Sequence, residues 1–145
     1  HPEGVKGAQV IAGCGYLAKN GASKKEIKSY VQKKFGYSLN KRLSFYRVFS
    51  RFDMSCQKSV PLALQCFLES DSWEECIRNV FSVRCDTDTI GAIAGGIADA
   101  YFHGTGFDED ALLRQFLIKP NKFGAMDPFL YQWAIAKQEE SGEPS

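Results

Sequence analysis

Asp86 and Asp88 sit two residues apart, alternate with Thr87 and Thr89, and directly precede the small-residue run from Ile90 to Ala98. Carboxylates crowded in this way repel each other unless they share a proton or a cation. A helix N-terminus favours one anion, but a capping aspartate needs no second aspartate beside it. The pair suits a hard divalent cation bound through oxygen, with the Thr89 hydroxyl or a water adding a ligand, and Mg2+ or Mn2+ is the matching ion. The same four residues also suit a plain capping cluster on a buried helix. Spacing alone leaves both readings open.

The other chemistry-bearing residues exclude more than they suggest. The five cysteines, Cys14, Cys56, Cys66, Cys76 and Cys85, are odd in number and never in C-x-x-C spacing, so neither a disulfide framework nor a zinc site is indicated. Reduced thiols in a cytoplasmic protein fit better. Cys85 adjoins a carboxylate that disfavours its thiolate, and Cys14, Cys66 and Cys76 read as small core residues. Lys24, Lys25, Lys28, Lys33 and Lys34 read as a solvated outer helix face. Arg42, Arg47 and Arg51 mix with Phe45 and Tyr46 as in single-strand binders, yet no nucleic-acid motif accompanies them and net charge is only +1. Nucleic acid is therefore not the expected partner. No apolar stretch approaches the roughly 20 residues of a membrane span, so no spanning helix is expected.

Helical signals position these residues, and strand alternation is nearly absent, which predicts an all-α fold. A first helix runs from about Val5 to Lys19, stopped by Asn20-Gly21. Ser23-Lys24-Lys25-Glu26 is a capping-box pattern opening a second, in which Ile27, Tyr30, Val31 and Phe35 share a face and Gly36 ends the run. Asn40 to Ser55 shows no clean period and reads as a structured connection. Ser59-Val60-Pro61 reads as a helix start with proline in the first turn, continuing to Ser70. Ser72-Trp73-Glu74-Glu75 is a second capping box, opening a helix through Val80. Gly91, Gly95 and Gly96 each cost a helix about 1 kcal/mol relative to alanine, so the helix after Asp88 is expected at the centre of a bundle, with neighbouring backbones close. His103 reads as a C-terminal capping or surface residue. Asp108 to Ile118 and Asp127 to Lys137 read as two more helices, and residues 139–145 as a polar tail.

Several motifs in one order resemble a known family. Ser82-Val83-Arg84-Cys85-Asp86-Thr87-Asp88-Thr89 is similar to the ADP-ribosylglycohydrolase signature S-x-G-G-D-(T/S)-D-T with its small-residue helix. Ser59-Val60-Pro61-Leu62-Ala63 resembles that family's S-V-P-x-A segment, and Phe67-Leu68-Glu69-Ser70 its F-L-x-S segment. Glu74 to Arg78 fits the helix that follows, and His1-Pro2 with Gly7-Ala8 resembles H-P-x-x-x-x-G-A. The resemblance covers roughly residues 1 to 101.

It implies an orthogonally packed helical bundle with a two-metal Mg2+ or Mn2+ site, which hydrolyses the glycosidic bond between ADP-ribose and a modified protein side chain. By that resemblance Asp86, Asp88 and Thr89 match metal ligands, while His1, Ser82, Arg84 and Cys85 match positions lining the ADP-ribose site. The family's T-D-D metal motif and its acidic catalytic residue belong to an N-terminal half. Residues 1–138, which open on His1-Pro2-Glu3 rather than Met, are therefore expected to be the C-terminal portion of the fold, with the N-terminal half as a necessary partner. Arg84-Cys85 replaces the glycine pair of the signature, where backbone amides approach the ligand. Arg84 would fill the pocket or contact phosphate there. The alternative expectation is a catalytically inactive relative that binds ADP-ribose or serves as a structural helical protein.

Overall fold

The computed structural model describes residues 1–49, 56–108 and 111. Arg51, the expected helices at 108–118 and 127–137, the boundary at 138 and the tail at 139–145 lie wholly or largely outside the described residues. The chain divides into two compact units, His1–Gly106 and Phe107–Ser145. In the second, the Ala111 N–H donates to Asp108 Oδ1 at 3.0 Å.

Among the described residues the first unit holds six helices and no strand: α1 (Pro2–Lys19), α2 (Lys24–Phe35), α3 (Leu43–Phe49), α4 (Cys56–Leu68), α5 (Trp73–Phe81) and α6 (Thr87–Phe102). The all-α expectation holds. No helix among them is long and apolar enough to cross a membrane.

Local signals explain most boundaries. Asn20 caps the end of α1. At α2 the box closes in both directions: Ser23 Oγ accepts from the Glu26 N–H, and Glu26 Oε2 accepts from the Ser23 N–H at 2.8 Å. Gly36, at φ 70°, supplies the left-handed residue that ends it. His103 does the same for α6 at φ 58°, its N–H donating to the Asp99 carbonyl. The expected second box closes only halfway. Ser72 Oγ accepts from the Glu75 N–H at 3.1 Å, but the Glu75 carboxylate accepts from Asp71 N–H at 2.6 Å, one residue before the cap.

Two boundaries differ from expectation. The stretch read as a connection contains α3, and α4 begins at Cys56, which puts Pro61 inside the helix rather than in its first turn. Proline lacks the N–H that a helix interior uses and so favours a first turn, a preference that tertiary packing of the segment can outweigh. Here Val60, Pro61, Leu62, Ala63 and Leu64 are all buried.

α6 is the hub, packed against α1, α4 and α5, while α2 rests on α1 and α3 on α4. Val10, Cys14, Ile27, Leu64, Phe67, Cys76, Ile90 and Ile97 fill the core. The glycines of α6 do not act alike. A Cβ on Gly95 would stand 3.2 Å from Ile77 Cδ1 and 3.7 Å from Trp73 Nε1. Trp73 Nε1 donates to the Gly95 carbonyl at 3.1 Å, so side chains of α5, not a neighbouring backbone, approach there. Gly96 is exposed, and nothing among the described residues lies within 4 Å of the place a Cβ would take. On α1, Gly13 leaves the space that the Tyr30 ring of α2 occupies. Lys24 departs from the solvated lysine face: its ammonium donates to the Ser70 carbonyl and faces the rings of Phe67, Tyr101 and Phe102.

Candidate metal and ligand site

α5 is strongly amphipathic in sequence and buries Cys76, Asn79 and Val80, so its C-terminus is anchored from inside. Ser82 caps it. Val83 is buried, and the chain passes through Arg84 and Cys85 to Asp86, the N-cap residue of α6. The signature residues thus bridge two helices held against each other.

Asp86 occupies the capping position but makes no side-chain capping bond. Its Oδ2 instead accepts from Thr89 Oγ1 at 2.9 Å, while the Thr89 N–H donates to Asp88 Oδ1 at 3.0 Å. Both carboxylates converge on one threonine. The Asp88 carboxyl titrates below its ordinary value, first because a proton on Asp86 would donate a hydrogen bond to it, then through the backbone amides of Thr89 and Asp88. Carboxylates that meet at one side chain are relieved of their mutual charge by a cation placed between them. As donors they fit Mg2+ or Mn2+, which take oxygen ligands. With Thr89 they would make at most part of a shell, and no three His, Cys, Asp or Glu side chains gather into a metal cluster among the described residues.

The residues expected to line the ligand pocket lie at the start of α1 and on the turn from α5 to α6. His1 Nδ1 accepts from the Glu3 N–H at 3.4 Å and caps α1. The Ser82 hydroxyl donates to the Asn79 carbonyl at 2.8 Å and accepts from Arg47 Nε at 2.9 Å. Arg84 is exposed on the connecting loop. Cys85 is half-buried, its thiol donating to the Val80 carbonyl at 3.6 Å. Burial, then the Asp86 carboxylate, pushes that thiol's pKa up and leaves it protonated near neutral pH. Burial likewise pushes Cys14 up to about 12 and Cys76 to about 11, so none of these thiols is an activated nucleophile.

Cys85 also opens onto a cleft of about 520 Å3 between α1, the α2–α3 connection, α3 and α4. Lys6, Lys41 and Lys58 line it with Tyr37, Phe45 and Phe49. Lys6 Nζ lies 4.5 Å from the Tyr37 ring centre and Lys41 Nζ 4.6 Å from that of Phe45. Glu3, also in the wall, has a buried Oε2 with no hydrogen-bond partner among the described residues. Sequence reasoning missed this cleft. Glu3 and Lys6 fall on the unspecified positions of H-P-x-x-x-x-G-A, and the remaining lining comes from segments with no shared period.

Compared with known proteins, residues 1–116 match the family model described as ADP-ribosylglycohydrolase. The chain belongs to that family. No curated protein and no solved structure matches it.

Proposed function

We propose that this chain supplies part of the metal and ADP-ribose site of a hydrolase that cleaves the glycosidic bond between ADP-ribose and a modified protein side chain. Family membership gives the general activity. The observation that carries the site assignment is the unused cap at Asp86: a structural capping cluster would turn that carboxylate onto the amides of α6, and here it faces Thr89 beside Asp88. Asp86, Asp88 and Thr89 would hold Mg2+ or Mn2+, with the N-terminal half of the family fold completing a two-ion site and contributing the acidic catalytic residue. Bound there, the ions would act as Lewis acids toward ribose hydroxyls and water.

The chain's own residues account for binding. Lys6, Lys41 and Lys58 place positive charge in a cleft that adjoins the signature loop at Cys85, which suits a pyrophosphate, and the Phe45 and Phe49 rings offer flat apolar surface to a base. Glu3 Oε2 is an acceptor awaiting a donor such as a hydroxyl or an amino group.

The test is calorimetric titration of ADP-ribose into the chain with Mg2+ and then with EDTA, repeated with Asp86→Asn and Asp88→Asn together. Metal-dependent binding that weakens at least about tenfold in the variant is expected, since even an outer-shell partner costs that much at a metal site. Equal binding in both buffers by both proteins would sink the assignment.

The Arg84-Cys85 pair favours one second reading, an ADP-ribose binder without turnover, because these side chains stand where the signature has glycines. Replacing both with glycine discriminates: a gain in ligand affinity or turnover means the side chains hold the site in a non-catalytic form.

A further inference from the structure

Arg47 stands on α3 between residues that line the cleft, yet its side chain leaves in another direction. Its Nε donates to Ser82 Oγ at 2.9 Å and its terminal nitrogen to Asn79 Oδ1 at 3.2 Å, two partners more than thirty residues along the chain. Asn79, only 8% exposed, in turn donates through Nδ2 to the Cys66 and Glu69 carbonyls, both at 3.2 Å. The start of α3 is held as well, its Leu43 N–H donating to Glu69 Oε1 at 2.8 Å, an oxygen that also accepts from Gln65 Nε2. One polar chain therefore runs from α3 through α4 to the last turn of α5. It ends on Ser82, the residue from which the signature loop departs.

We propose that Arg47 is a positioning residue for the acidic cluster. By holding Ser82 and Asn79 at once it fixes where α5 stops, and so the path through residues 83–86 that delivers Asp86 and Asp88 to the start of α6. A guanidinium is suited to this because its donors leave in a rigid, planar arrangement that serves two acceptors, whereas a lysine ammonium on a flexible stem does not. Phe45 and Phe49 on the same short helix line the cleft, so α3 holds the cleft wall and the signature loop in one register. The functional consequence rests on the metal assignment above; the mechanical one does not.

Two readouts on the full chain separate them. Hydrogen exchange reports the loop itself: the Ser82 and Val83 amides, which donate to Arg78, Asn79 and Val80 carbonyls, should exchange about tenfold faster in Arg47→Ala, the shift expected from losing a charge-assisted hydrogen bond. Titration with Mn2+ alone reports the cluster, and its Kd should rise by about the same factor. Arg47→Lys should follow the alanine variant, and Ser82→Ala should move both readouts less, in the same direction. If Arg47→Ala does not fold, the lysine and Ser82 variants carry the comparison. Unchanged exchange at Ser82 and Val83, or full recovery by lysine, overturns the proposal. Faster exchange in a chain whose wild type takes no Mn2+ supports the positioning role and refutes the metal reading instead.

Discussion

Two helices of this chain begin with the same outline, a short polar residue followed three positions later by a second side chain able to hydrogen-bond, and they use it in opposite ways. At α2, Ser23 and Glu26 each satisfy the other's backbone amide. At α6, the Asp86 side chain holds the cap position but bonds no backbone amide of the helix, meeting only the Thr89 hydroxyl, and Asp88 adds a like charge beside it. The first arrangement is complete in itself. The second gathers two acidic side chains on Thr89 at the positive end of a helix, an arrangement that a bound cation would stabilise. The contrast separates a cap that closes on its own helix from one whose carboxylates stay off the backbone amides.

The contrast breaks most readily by stability measurement. Ser23→Ala should cost about 1 kcal/mol in chemical denaturation, the usual loss for an N-cap hydroxyl. Asp86→Ala removes no bond to a backbone amide and only an exposed one from the Thr89 hydroxyl, so it should cost clearly less; a loss as large as that of Ser23→Ala would show that Asp86 is a structural cap. Further along α6, Gly96→Ala should stabilise by up to about 1 kcal/mol because nothing described stands in the way. Gly95→Ala should give less or a loss, since Ile77 Cδ1 must yield. The smallest expected effect is in titration, read by NMR at the carboxyl carbons. Hydrogen bonds from Ser23 hold Glu26 below its ordinary 4.5, so whatever stability it adds is present above that value and fades as pH falls through the lowered one. Ser23→Ala should return the midpoint toward 4.5. Asp88 is likewise held below 3.8, chiefly by Asp86, so Asp86→Ala should release it upward while leaving Glu26 where it was.

Most of the frame was legible because helix ends are local events. Asn20-Gly21, Ser23, Gly36 and Ser72 act on residues within one turn, and each marks the boundary it implies. α3 was not legible for the opposite reason. Phe45, Val48 and Phe49 are apolar yet exposed, so no buried stripe exists to be read, and the helix is located by Arg47 and Leu43 reaching residues far along the chain. The start of α4 was displaced because proline signals a first turn only when nothing upstream continues the helix. The candidate site divides in the same way. Asp86, Asp88 and Thr89 are contiguous and could be singled out, whereas Glu3, Lys6, Lys41 and Lys58 meet only after α1, α3 and α4 have packed.

The aromatic box around Lys24 gives the fold an internal gauge. Its ammonium lies 5.5 to 5.9 Å from the ring centres of Phe67, Tyr101 and Phe102 and 3.6 Å from Asp71, so the side chain touches α4 and both final residues of α6 while belonging to α2. Its ammonium lies over the three rings only while those helices are assembled. One lysine resonance, displaced upfield from the other lysines of α2, would therefore record the docking of the three helices without any label being introduced.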